Sequence, residues 1–224
     1  MLAVLVPSRG RPNNLRRLVD AIHATATGHV TVMTRIDDDD PAHDGYAGIA
    51  DATLTGPRIF YGASINQLAE YAMNCRASHL AMFGDDVLPE TVGWDQLLID
   101  ALGDSLGIAY GSDGLEHLHG PDLPTHFITQ TDLYRRLGWL VLPTLRHLYA
   151  DDVAREIGRG LNNLTYLPNV SLRHLHRWAK LAPDDQTYRE ANDKRKREQD
   201  RRAYLTWRNG PGYIESMRAL GVDL

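Results

Sequence analysis

Phe83-Gly84-Asp85-Asp86-Val87-Leu88-Pro89 follows an apolar run, Leu80-Ala81-Met82-Phe83, and ends at a proline. A buried strand that finishes in two adjacent carboxylates sets them at the carboxyl edge of a sheet. That edge is where α/β folds bind ligands. Two neighbouring acids repel each other unless a cation, an arginine or water offsets them. A hard divalent metal shared with a substrate diphosphate does this with few protein oxygens. The motif therefore reads as a candidate site for a metal and a diphosphate.

Working outward, the chain alternates strands with helices. Leu2 to Pro7 reads as a first strand. The turn Ser8-Arg9-Gly10-Arg11-Pro12 follows, then a helix from about Asn13 to Ala24 with Leu15, Leu18, Val19 and Ile22 at helical spacing. Pro12 falls in the first helical turn, where a missing N–H costs nothing. His29 to Ile36 reads as strand two, stopped by Asp37-Asp38-Asp39-Asp40-Pro41, and Arg58 to Tyr61 as a short strand three. A helix over Ser64 to Cys75 leads to strand four, Leu80 to Phe83. This alternation implies an α/β fold with a mostly parallel sheet and helices on both faces.

The second half is less regular. Trp94 to Leu102 reads as a helix and Gly107 to Tyr110 as a strand. Thr125 to Gln130 reads as a strand leading into a helix over Asp132 to Leu137. Asp151 to Gly158 reads as a helix with an N-cap acid, and Asn163 to Leu167 and Val170 to Leu175 as two strands. A long polar helix is expected over Asp184 to Arg208, then a short tail helix. The domain division follows: residues 1–183 catalytic, 184–224 a helical extension packed on it.

Composition narrows the class. A chain of 224 residues with 43% hydrophobic and 24% charged residues is ordinary for one soluble globular domain. No apolar run approaches the roughly 20 residues of a membrane span. The single Cys75 excludes an intramolecular disulfide and a cysteine metal cluster, which suits a cytoplasmic location. The net charge of −5 is uneven: Arg189 to Arg202 holds seven Lys/Arg against four acids, so the rest of the chain carries −8. That basic segment reads either as a solvated helix of mixed charge or as a contact for a polyanion.

Four constellations stand at strand ends. Pro7, Ser8, Arg9 and Arg11 form a strand-to-helix turn able to cradle an anion or nucleotide, though surface arginines at a turn explain it equally. The turn has neither G-x-G-x-x-G nor a P-loop lysine, so a dinucleotide or P-loop site is not supported. Arg35 with Asp37, Asp38 and Asp39 could meet a base or ribose; the plain alternative is an Asp-Pro turn. Asp85-Asp86 is the third. Arg173-His174-Leu175-His176 is the fourth, and on a strand His174 and His176 would project together. Imidazole beside carboxylates suits manganese or zinc.

In order and spacing these motifs resemble a GT-A-type nucleotide-sugar glycosyltransferase, from about Leu2 to Tyr188. The resemblance also takes in Asn66, Gly93-Trp94-Asp95, Asp151-Asp152, Asp185 and Tyr188. It implies that Ser8, Arg9, Arg11 and Asp37 to Asp39 bind the nucleoside. It also implies a divalent metal, Mn²⁺ or Mg²⁺, on Asp86 with His174, and His176 as understudy. Gly84 stands where that family's Asp-x-Asp motif begins, which leaves Asp85 to the ribose or a metal-bound water. Asp151-Asp152 matches the place of the general base, with Asp152 slightly preferred. A helix N-cap is the alternative role for Asp151.

The expected reaction moves a hexosyl group from a nucleotide diphosphate sugar, UDP-linked by preference, to a hydroxyl. The resemblance extends to hydroxymethylated pyrimidines in DNA, acceptors of some viral enzymes of this type, whose place would be the host cytoplasm. A nucleotidyltransferase would carry a glycine-rich loop and a lysine after strand one; this turn has one glycine and no lysine. A non-catalytic nucleic-acid-binding protein would interleave aromatics with its cations, and none lies between Tyr188 and Tyr204.

Overall fold

Leu2, Val4 and Val6 alternate with Ala3 and Leu5 along the first strand, and both sets are buried. A strand apolar on both faces belongs to the middle of a covered parallel sheet, and the computed structural model of the chain places it there. The structure describes residues 1–223 apart from 180, 182–184 and 192. The strands are β1 (Leu2–Ser8), β2 (Val30–Asp37), β3 (Ala52–Gly56), β4 (His79–Met82), β5 (Val87–Pro89), β6 (Ile108–Ser112), β7 (Phe127–Gln130) and β8 (Leu164–His174). Among the described residues they form one curled sheet in the order β3-β2-β1-β4-β7-β6-β8-β5. β1, β2, β3 and β4 pair in parallel, as do β6 and β8; β7 and β5 run against their neighbours.

The helices are α1 (Pro12–Thr25), α2 (Phe60–Asn74), α3 (Trp94–Leu102), α4 (Glu116–His119), α5 (Thr131–Leu137), α6 (Ala150–Gly160), α7 (Gln186–Ala191), α8 (Lys194–Asn209) and α9 (Pro211–Ala219). On one face, Leu15, Leu18 and Ile22 of α1 and Trp94, Leu98 and Leu102 of α3 pack on Val4, Val6 and Phe83. On the other, Ile65, Leu68 and Ala72 of α2 and Val153 and Ile157 of α6 pack on Ala3, Leu5 and Leu80. Trp207, Met217 and Leu220 join that second cluster, so α8 and α9 share the core of the sheet. Each fully buried Leu or Ile contributes about 1.5–3 kcal/mol.

Three expectations are corrected. Strand three is Ala52–Gly56, not Arg58 to Tyr61. The alternation of Ala52 and Leu54 with Thr53 and Thr55 suits an edge, Pro57 ends it, and Phe60 already opens α2. The two strands expected over 163–175 are one, β8, with a register shift where Gly111 pairs Leu167 but Ser112 pairs Ser171. The long C-terminal helix divides into α7 and α8, because Asp193 starts a new helix by accepting from the Arg195 and Lys196 amides. Asp184, its expected first residue, lies outside the described residues, as does the 183/184 boundary.

Candidate functional site

The parallel strands end their carboxyl edges around one cavity of about 780 Å³. Pro7, Ser8, Arg9, Arg11, Arg35, Asp37, Asp85, Asp86, Asp151, His174 and His176 all line it. Asp38, Asp39, Asn66 and Asp152 are not among the lining residues.

Residues from opposite ends of the chain hold Asp85 and Asp86. Ser8 Oγ donates to Asp85 Oδ2 at 2.6 Å and Arg11 Nη1 to Asp85 Oδ1 at 3.3 Å. Burial, reinforced by the charge of Asp86, pushes the Asp85 carboxyl well above the usual range, against Arg11 and Ser8. Asp86 goes the other way. Burial works to raise it too, but hydrogen bonds and charge from His174, and the Tyr188 hydroxyl, hold it low. Tyr188 donates to Asp86 Oδ2 at 2.6 Å, and its own hydroxyl is pushed up by burial and by Asp86.

β5 brings Asp86 to His174. Val87 pairs with His174 in the β5–β8 ladder, and the Leu175 amide donates to the Asp86 carbonyl at 2.8 Å. His174 Nε2 then stands 3.3 Å from Asp86 Oδ1. Gly84 leaves room for this, since a Cβ there would come within 2.7 Å of Asp86 Oδ1. His176 lies beyond the end of β8 and packs its ring 4.9 Å from His174 and 5.4 Å from Tyr188. Among the described residues no three His, Cys, Asp or Glu side chains converge as metal ligands.

The donor set nonetheless suits a divalent ion. A carboxylate oxygen and an imidazole nitrogen bound side by side at about 2.1 Å stand about 3 Å apart. The Asp86–His174 spacing is near that value, with the carboxylate ionised. His174 Nδ1 is buried and has no hydrogen-bond partner among the described residues. Two protein donors are enough where a diphosphate and water complete the shell.

The arginines of the turn are heavily engaged. Arg11 makes two bonds to Asp185, at 2.6 and 2.7 Å, and lies 4.1 Å over the Tyr188 ring. Arg9 reaches Asp37 and Asp39, and Arg35 bonds Asp37 Oδ1 at 2.5 Å. Asp40 accepts from the Gly10 and Ala42 amides, each at 2.8 Å, which pins the turn. Asp38 is exposed.

Asn66 is turned away from the cavity. Its Oδ1 accepts from the Leu140 and Val141 amides and its Nδ2 donates to the Val141 carbonyl, so it anchors a loop. Asp151 and Asp152 point differently. Tyr149, in the left-handed region at φ 68°, is the N-cap of α6, and Asp151 is already inside the helix. Asp151 is half-buried on the cavity wall, and burial, with the charge of Asp152, pushes its carboxyl up to about 6. Asp152 instead bonds Arg155 at 2.7 Å.

The sequence did not single out His126, Tyr61 or His147, which also line the cavity. His126 is buried against the His174 ring at 4.7 Å, and burial lowers it to about 3, so it stays neutral. Solitary histidines in loops and a tyrosine at the start of a helix carry no spacing that would mark them.

No family model and no curated protein matches the sequence. Solved structures do match the fold. A mannosyltransferase from Pyrobaculum calidifontis, PcManGT, in complex with GDP-Man and Mn²⁺, superposes with a TM-score of 0.62 at 12% identity, over 98% of this chain and 74% of that one. Glucosyl-3-phosphoglycerate synthase from Mycobacterium tuberculosis, with Mn²⁺, UDP and glucosyl-3-phosphoglycerate, gives 0.57 at 11% identity over 100% and 81%. TarS 1-349 of S. aureus in complex with UDP gives 0.57 at 12% identity over 76% of this chain, which spans only 59% of that one. At such identities the likeness is one of architecture: the chain has the GT-A-type fold of nucleotide-sugar transferases.

Proposed function

We propose that the protein is a metal-dependent glycosyltransferase that moves a sugar from a nucleotide diphosphate sugar to a hydroxyl acceptor. The observation that carries this is one cavity holding an ionised Asp86 beside His174 and, on another wall, a carboxyl at Asp151 with a raised pKa. The solved structures of the same fold that hold GDP-Man, UDP and Mn²⁺ support it.

In this reading the β1 turn and Asp37 receive the nucleoside, and Asp85, oriented by Ser8 and Arg11, meets the ribose. Asp86 and His174 would hold a Mn²⁺ or Mg²⁺ ion, which offsets the charge gathering on the departing diphosphate. Asp151, rather than Asp152, takes the proton from the acceptor hydroxyl as its oxygen bonds to the anomeric carbon. Asp152 is held by Arg155 and off the cavity wall. UDP is the nucleotide to assay first. DNA carrying hydroxymethylated pyrimidines stays among the acceptors to assay, its support being the basic run Lys194 to Arg197 at the start of α8, whose Lys196 lines the cavity.

The test incubates the protein with Mn²⁺ and a panel of nucleotide diphosphate sugars, and measures release of the nucleoside diphosphate. Release from one donor, lost in Asp86→Ala, is expected. Equal behaviour of wild type and Asp86→Ala toward every donor would sink the proposal.

A further inference from the structure

Phe60 opens α2 in the left-handed region, at φ 64°, and leaves 38% of its surface exposed. A bulky residue takes that conformation only where its surroundings impose it. Three cations surround its ring: Arg146 Cζ at 5.1 Å, Arg58 Cζ at 5.5 Å and Lys196 Nζ at 5.9 Å. All four residues line the cavity.

The cavity's other arginines are matched. Arg9, Arg11 and Arg35 each hold carboxylates; Arg58 pairs with Glu190, whose carboxyl also feels the charge of Lys196, and stands 3.9 Å from Asp37. Arg146 and Lys196 make no ion pair among the described residues. Against the one carboxylate of Glu190, three cations around one ring leave positive charge that a further anion offsets.

Backbone bonds place this cluster. Asp200, buried in α8 one turn after Lys196, accepts from the amides of Arg146, His147 and Leu148 at 2.9, 3.0 and 2.9 Å. The Gly62 amide of α2 donates to the Arg146 carbonyl at 3.0 Å. A Cβ at Gly62 would come within 2.6 Å of the Leu145 carbonyl oxygen, so only glycine lets α2 approach this closely. Three elements are thus locked together with their cations facing one opening.

We infer that Arg146, Lys196 and Arg58, around the ring of Phe60, form an oxyanion subsite that takes a phosphate or carboxylate group on the acceptor. This rests on the transferase reading. Arg146 lies five residues before Asp151, on the segment that enters α6, so an acid held there brings its molecule toward the base. In that reading the donor diphosphate is met elsewhere, through the ion that Asp86 and His174 would hold. Guanidinium and ammonium groups together bind both phosphate and carboxylate well.

The experiment measures affinities of the full chain by calorimetry for glycerol phosphate, glycerate and neutral glycerol, and for UDP and uridine with Mn²⁺. The variants are the doubles Arg146→Ala/Lys196→Ala and Arg146→Lys/Lys196→Arg. The alanine double should lose at least tenfold in affinity for both acids and less than twofold for UDP, and the charge-preserving double should recover most of the loss. Equal losses for UDP and the acids overturn the inference, assigning the cluster to the donor diphosphate. Unchanged affinity for the acids overturns it too. Salt-sensitive binding of hydroxymethylated duplex DNA that the alanine double abolishes, with no response to small acids, replaces it with a polyanion. A wild type that binds the acids through these residues but binds no nucleoside diphosphate sinks the transferase reading and leaves the oxyanion site standing.

Discussion

Asp151 is a carboxylate near the positive end of α6 that still holds its proton more tightly than a free aspartate. The helix dipole favours its charge by about 0.3–1 kcal/mol, but burial and the adjacent Asp152 outweigh it and push the group up to about 6. A base must be ionised to accept a proton, so transfer should rise with pH and level off above about 6. Asp151→Asn should lower the turnover rate by about 10²–10⁴-fold and remove that limb of the profile. Asp152→Asn removes one of the two influences that raise Asp151, so it should keep the limb but move it to lower pH. The sign for stability is opposite. Between the ordinary value of 3.8 and about 6 the native protein binds more protons than the unfolded chain, so stability falls as pH rises through that window. Asn cannot ionise, and Asp151→Asn should therefore melt higher than wild type at pH 7.5 while losing activity. Scanning both variants at pH 5 and 7.5, beside steady-state rates, checks the pair of effects.

At the scale of elements, the segment Arg146 to Leu148 shows what a single carboxylate can organise. Asp200 satisfies three backbone amides that would otherwise be left without partners beside the core. Asp200→Ala should cost about 2–4 kcal/mol, read as a lower urea midpoint, and should also reduce transfer, because α6 begins just after that segment. An unchanged midpoint would show that α8 does not hold this wall. The sequence could not disclose Asp200, which looks like one acid among many in a mixed-charge helix. It did disclose α1, α3 and β1 closely, because there the apolar spacing and the buried face agree. It misplaced β3, whose threonines are weakly apolar, and it missed β5, three residues long and defined only by its partner β8. That missed strand is what brings Asp86 to His174, so the motif was legible while its geometry was not. That Arg155 reaches Asp152, the contact on which the proposed choice of base rests, was equally closed to sequence.

Across the whole molecule, the cavity is closed by bonds between distant parts of the chain. Arg11 meets Asp185, Tyr188 meets Asp86, and Thr187 Oγ1 donates to the Arg9 carbonyl at 2.9 Å. We propose that α7, α8 and α9 complete the domain, since α8 and α9 share its core and α7 and α8 line its cavity. A ligand that bridges the β1 turn, Asp86 and α7 then stabilises the fold as a unit. At 100 times its dissociation constant it adds about 2.7 kcal/mol, or roughly 5–10 °C in melting temperature for a domain of this size. In the proposed site the nucleotide diphosphate and the metal would meet at Asp86, so each should raise the affinity of the other by the same factor. UDP and Mn²⁺ together should therefore raise the melting temperature by more than the sum of their separate shifts. Asp86→Ala should leave the two shifts merely additive, because without that carboxylate the ion loses its hold between protein and diphosphate. Additive shifts in the wild type would mean that nucleotide and metal bind apart, and the shared site at the end of β4 would fall with them.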